Sequence, residues 1–247
     1  MMYHFRATLA TTLRILRQLS HDHRTVALIF LVPCILLGLL RWLYEVNLDV
    51  FDQIAPALLG VFPFVIMFII TSITTLRERT GGTMERLMVS PIGKLDLVLG
   101  YMLAFGLLAA VQSLLASALV LYGLGLDIDG PHWFLTVMAM ADALLGTALG
   151  VFVSAFAKTE FQAVQFMPAL ILPQFLICGL LMPLEKMPDA LETIAYYLPL
   201  TYAVDALQSV VHNVDITDDA WRDLWVVIAF AVGAIVLGAM TLKRRTK

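Results

Sequence analysis

The sequence is poor in charge. Of its 247 residues only 14% are Asp, Glu, Lys or Arg, while 60% are hydrophobic; a soluble domain carries roughly a quarter charged residues. There is too little polar sequence to cover a water-facing surface, so the surplus apolar residues need lipid as solvent. Cysteine is scarce too. Cys34 and Cys178 lie inside apolar stretches, which argues against a disulfide framework and for free thiols packed as small hydrophobes. The pattern G-x-x-x-x-G-K-[ST] is missing, as are H-E-x-x-H and C-x-x-C, so this chain is not expected to cradle ATP phosphates or to hold catalytic zinc by those devices. The basic residues are spread over short segments, which excludes a nucleic-acid footprint. No nucleophile–base pair stands at membrane depth, and no residue is assigned a catalytic, cofactor-binding or metal-binding role.

What is abundant is long apolar sequence. About 20 residues are needed to cross roughly 30 Å of hydrocarbon. Six stretches qualify: Thr25–Leu43, Ala55–Leu76, Leu97–Tyr122, Trp133–Phe156, Ala163–Met182 and Leu224–Leu242. The first begins too far in for a cleavable signal, and no small-residue cleavage site follows Leu40 and Arg41. With the N-terminus inside, all of the 16 basic residues except Arg41, Lys186 and Arg222 fall on the cytoplasmic side. The positive-inside rule therefore places both termini in the cytoplasm. The reading is one all-α membrane domain over residues 1–247, with 25–182 holding five spans and 221–247 the sixth span and tail.

Three further segments have helical character. In residues 1–24, Phe5, Leu9, Thr12, Leu16 and Leu19 share one face at 100° per residue, and Arg6, Arg17 and Arg24 another, predicting a basic amphipathic helix on the membrane surface. After the second span, Gly81 and Gly82 break the helix, Thr83 caps a short new one with Glu85 near its positive end, and Pro91 stops it. In residues 183–213, Pro188 and Pro199 divide two amphipathic pieces, one with Leu191, Ile194, Ala195 and Leu198 on a face, the other with Val204, Leu207 and Val211 and with Thr201 as cap. Neither is long enough to span. Tyr196, Tyr197, Tyr202 and Trp221 stand where an aromatic belt is expected.

Within the spans, Asp142 lies about 14 Å deep at 1.5 Å per residue and is a functional candidate by position alone. Gln112, Gln165 and Gln174 are uncharged polar residues at depth. The small residues Gly146, Gly150 and Ser154, and Ala109, Ser113 and Ser117, recur every four positions and predict close helix packing. Pro63 in the second span and Pro168 and Pro173 in the fifth predict kinks. Beside them stand Phe62, Phe64, Met67, Phe68, Phe166, Met167 and Phe175, side chains able to form an adaptable apolar wall.

The order of these parts resembles the permease subunit of type-2 ABC exporters, most closely the compact bacterial drug-resistance permeases of the daunorubicin type. The resemblance covers essentially the whole chain. It is carried by Arg77-Glu78-Arg79 through Pro91-Ile92, by Ser154 to Ala163 closing the fourth span, and by Gly179-Leu-Leu-Met-Pro183 through Leu198-Pro199-Leu200-Thr201-Tyr202. It implies a multi-pass protein of the bacterial inner membrane that pairs with a second permease copy, identical or paralogous. A separate ABC ATPase would bind beneath and hold the ATP and magnesium. Glu78, Thr83, Met84, Glu85, Arg86, Leu87 and Met88 would form the cytosolic coupling element, and the leader an interface helix beside it. The substrate path would run along Phe62, Phe64, Met67, Phe68, Phe166, Met167, Gln174 and Phe175. Gly179, Pro183, Pro188, Pro199 and Tyr202 would belong to an extracellular gate of two short re-entrant helices. The implied function is ATP-driven export of a hydrophobic drug or lipid. A lipid-linked glycan is the alternative cargo, and a proton-coupled secondary transporter using Asp142, or a non-transporting membrane scaffold, the alternatives of other classes.

Overall fold

The computed structural model describes residues 2–81 and 94–241. Thr83, Met84, Glu85, Arg86, Leu87 and Met88, expected to form the coupling element, lie outside the described residues.

The described residues form nine α-helices: α1 (Met2–His21), α2 (His23–Leu43), α3 (Leu48–Thr80), α4 (Lys94–Ala118), α5 (His132–Ser154), α6 (Glu160–Ile177), α7 (Asp189–Ala195), α8 (Pro199–His212) and α9 (Asp218–Thr241). A π-helical turn, Leu119–Gly123, extends α4, and a 3-10 turn, Leu184–Lys186, precedes α7. Five segments are long and apolar enough to cross a membrane: α2, α3, α4 with its π turn, α5 and α9. The expected fifth span, Ala163–Met182, is helical only to Ile177, with Cys178 as its C-cap and Gly179 turning the chain at φ +95°. At about 27 Å for 18 residues, and with Glu160, Gln162, Gln165 and Gln174 along it, α6 is not among the five.

The core is the pair α3 and α5. Gly146 faces the Phe64 carbonyl, and a Cβ on Gly150 would lie 2.6 Å from the Phe68 oxygen, so the small-residue stripe brings two backbones into contact. The second stripe packs likewise: Ser113 on α4 donates to the Ala139 carbonyl of α5 at 3.2 Å, and Ala109 and Ser117 are buried. Pro56 and Pro63 stand inside α3 without ending it. The helix runs on for 33 residues, about 50 Å, well beyond the hydrocarbon thickness. Packed neighbours allow a membrane helix to continue past proline.

The leader is helical, and its buried face coincides with the expected one at Thr12 and Leu19 but not at Leu9. Thr8, Thr11, Thr12, Ile15 and Leu19 are buried, whereas Leu9 and Leu13 are exposed. The cause is the partner. The threonines fit closely against α4 at Gly100, whose carbonyl accepts the Thr12 hydroxyl at 3.2 Å, and Leu9 and Leu13 are left exposed. Asp22 starts α2 by accepting the Thr25 amide and hydroxyl at 3.2 and 2.6 Å, and these bonds hold its carboxyl below the usual carboxylate range.

The segment 183–213 divides at Pro188 and Pro199 as expected. In α8, Val204, Leu207 and Val211 are all buried. Thr201 is not its cap. Leu198 holds that position with Pro199 at the first turn, and the Thr201 hydroxyl instead donates to the Ala195 carbonyl at 2.8 Å. In α7 only Ala195 of the expected face is buried, with Leu191 and Ile194 exposed. Trp221 on α9 packs against Trp133 and Phe134 of α5, with ring centroids 6.2 and 5.5 Å apart.

Candidate functional site

The last turn of α3 carries Arg77, Glu78 and Arg79, three consecutive residues that a helix points in three directions about 100° apart. Each finds a different neighbour. Arg77 reaches α6, where its Nε and Nη2 donate to the two Glu160 oxygens at 2.6 and 2.8 Å. Glu78 turns inward and is 5% exposed. Its two oxygens accept Arg14 of α1 at 3.1 and 2.8 Å, and Oε2 also accepts the Tyr101 hydroxyl of α4. Arg79 donates to the Ala157 carbonyl in the turn between α5 and α6. This one turn therefore ties α3 to α1, α4, α6 and the α5–α6 connection. It does so with Arg79 two residues before Gly81, the last described residue of this segment, at the end where the coupling element is expected.

The electrostatics divide the junction into a buried and an exposed half. Arg14 and Glu78 are paired with side-chain exposures of 33% and 4%; a bidentate, partly desolvated pair of this kind is strong and directional. Arg77 and Glu160 are both more than half or half exposed, at 58% and 50%. The Arg77 guanidinium, through its hydrogen bonds, holds the Glu160 carboxyl below its ordinary value against the opposing effect of burial. A second tie from α1 to α4 runs beside them, His4 Nδ1 to Asp96 Oδ2 at 2.7 Å.

Sequence reasoning singled out Glu78 but not its partners. Arg14 is a signal that can be read: it stands off the face shared by Arg6 and Arg17. Tyr101 is a polar-tipped residue near a span end, and Glu160 an acid in the first turn of α6. Which of them meet is a matter of tertiary placement.

The proposed path residues separate into two groups. Phe64, Met67 and Phe68 are fully buried, on the side of α3 that meets α4 and α5. Phe62 is half-buried, as are Phe166, Met167 and Phe175 of α6, and all four pack against the main core. Gln174 is 8% exposed, donating to the Leu170 carbonyl of its own helix while its Oε1 is unpartnered. Half-buried aromatic and sulfur side chains thus line the α3–α6 side, and large hydrophobics at Leu170, Leu172 and Leu176 are exposed along α6.

At the opposite end, Gly179 takes a positive φ, Pro183 leads into the 3-10 turn, and Pro188 and Pro199 begin α7 and α8. The Tyr202 hydroxyl donates to the Tyr196 carbonyl at 2.7 Å, closing the corner between the two helices. Asp142 is fully buried on α5, and neither of its oxygens has a hydrogen-bond partner. Among the described residues no cluster of three or more His, Cys, Asp or Glu side chains is arranged to hold a metal ion.

Comparison with known proteins agrees with the family resemblance. The model of the family described as "ABC-2 type transporter" matches residues 6–212. The probable multidrug ABC transporter permeases YbhR and YbhS of Escherichia coli are 24% identical over 184 residues and 28% identical over 193 residues, covering 74% and 78% of this chain. The ABC transporter G family member 20 of Dictyostelium discoideum is 25% identical over 203 residues, or 81% of this chain. The chain spans about half the length of YbhR and YbhS, at 50% and 51%, and 28% of the Dictyostelium protein.

Proposed function

The chain belongs to the ABC-2 type transporter family, a multi-pass membrane permease, and from that premise we propose that it is the membrane subunit of an ATP-driven exporter. In this reading the junction at Arg77–Arg79 is where force enters. A separate ABC ATPase seats the segment after Gly81, and ATP-driven closure displaces it. The displacement reaches α1 through Arg14–Glu78, α4 through Tyr101, and α6 through Arg77–Glu160. The single observation that carries this reading is that three adjacent residues of one turn grip four elements.

The membrane arrangement proposed with it has six crossings, α6 and the turn at Gly179 making the short fifth. The termini and the junction lie in the cytoplasm of a bacterial inner membrane, and α7 and α8 form the outer gate. Two copies, or one copy and a paralogue, enclose the path. The half-buried face of Phe62, Phe166, Met167 and Phe175 supports a hydrophobic or amphipathic drug or lipid as cargo, because adaptable apolar side chains accept varied shapes. Phe64, Met67 and Phe68 act in this reading as core rather than as path.

The test is reconstitution. The full chain, expressed with an ABC ATPase encoded beside it, is expected to copurify with that ATPase and to move a lipophilic dye across vesicle membranes only when ATP is supplied. Dye movement driven by a proton gradient without ATP would replace this reading with a secondary transporter.

A further inference from the structure

Asp142 takes no part in the junction or in the α3–α6 face. It is 0% exposed, and both carboxyl oxygens lack a hydrogen-bond partner. Two elements close over it. A Cβ at Gly60 of α3 would lie 3.1 Å from Asp142 Oδ2 and 2.5 Å from Leu207 Cδ1 of α8, and Cys178, the C-cap of α6, is the titratable side chain in its neighbourhood. Among the described residues no hydrogen bond or ion pair reaches its carboxyl. An ionised carboxylate buried at membrane depth without a counter-charge is far costlier than the neutral acid.

The packing says which element can uncover it. α3 and α5 are in backbone contact at Gly146 and Gly150, whereas α8 joins the core through side chains such as Val204 and Leu207. α8 is 14 residues long and enters and leaves through turns, held at one end by the Asp129 and Gly130 amides on the Val211 and Val210 carbonyls. We propose that Asp142 is a proton-binding site that locks α8: it carries a proton while Leu207 is seated on Gly60, and it releases that proton to water when α8 lifts.

The sign follows from linkage. The seated state holds one proton more than the lifted state, so acid favours seating and alkali favours lifting. An exposed carboxyl ionises near about pH 4. Above that, each pH unit raises the lifting equilibrium by up to about tenfold, until the seated acid itself ionises. ATP-driven movement of α8 would then become easier as pH rises on the side to which the proton leaves.

Hydrogen–deuterium exchange of the full chain in lipid nanodiscs tests this without ATPase or substrate, so its failure would leave the transport reading standing. After correction for the intrinsic pH dependence of exchange, protection of the α8 amides around Leu207 is expected to fall by up to about a hundredfold from pH 5 to pH 7. Asp142→Asn, which cannot release a proton, is expected to keep its α8 protection constant over that range, with α3 and α5 protection reporting that it is folded. Gly60→Ala places a methyl group against Leu207 and is expected to lower α8 protection at both pH values. Protection independent of pH in the unaltered chain, an equal fall in Asp142→Asn, or seated α8 in Gly60→Ala would each overturn the proposal.

Discussion

Glu78 has three donors on its two oxygens, two from Arg14 and one from Tyr101. Removing Arg14 leaves a buried carboxylate with one hydroxyl for company, and stripping one partner from such a pair costs about 3–5 kcal/mol. Arg14→Ala is therefore expected to lower the thermal stability of the purified chain strongly. Adding Glu78→Gln to that variant should recover part of the loss, because the uncompensated charge is gone; calorimetry or a thermal-shift series over the two single variants and the double variant reads the coupling. The exposed half of the junction behaves differently. Arg77 holds the Glu160 carboxyl below its ordinary value, so their contribution is present above the ordinary carboxylate range and is lost as pH falls through the depressed value. Both groups are at least half exposed, and screening limits the pair to under about 1 kcal/mol. Melting temperature is expected to drop slightly more between pH 5 and pH 3 in the unaltered chain than in Glu160→Gln, and an equal drop would mean the pair contributes nothing.

Among the helices, the α3–α5 contact has the least room. Gly150 has the Phe68 oxygen 2.6 Å from where a Cβ would be, whereas Gly238 on α9 has nothing nearer than 3.6 Å. Gly150→Leu is expected to cost at least about 2 kcal/mol by overpacking and to reduce folded yield in a detergent-extraction assay. Gly238→Ala is expected to be neutral in the same assay. These elements were largely legible from the sequence, since apolar length and glycine–serine spacing are local signals. The divisions at Pro188 and Pro199 were legible for the same reason. Where local pattern fell short, a neighbour decided: α1 buries Thr8 and Thr11 beside Thr12 and Leu19 because Gly100 on α4 admits them closely, and α3 continues as helix past Pro56 and Pro63 because it is packed among its neighbours. The end of α6 at Ile177 turns on Gly179, a residue whose need for positive φ a single sequence does not display.

Among the described residues, charged groups gather toward the two ends of α3. The junction of Arg14, Arg77, Glu78 and Arg79 lies at one end of the long α3, and the corner of Tyr202 and Tyr196 and the acids Asp49, Asp52, Asp127 and Asp129 lie toward the other. The sequence disclosed the family through Arg77-Glu78-Arg79 and the segment from Gly179 to Tyr202, and it disclosed Asp142 as an anomaly. It did not disclose that Glu78 is a buried anchor, or that Phe64, Met67 and Phe68 face inward, because rotation of a helix about its axis is set by what it packs against.

The most direct test of the junction's role compares ATP turnover with transport in the reconstituted permease–ATPase complex carrying Glu78→Gln. The amide keeps the shape of the side chain and removes the charge that holds Arg14. The expected result is a complex that assembles and hydrolyses ATP while dye transport falls at least about tenfold, a loss of about 1.4 kcal/mol in coupling. Transport that stays in its normal proportion to ATP turnover would contradict the account.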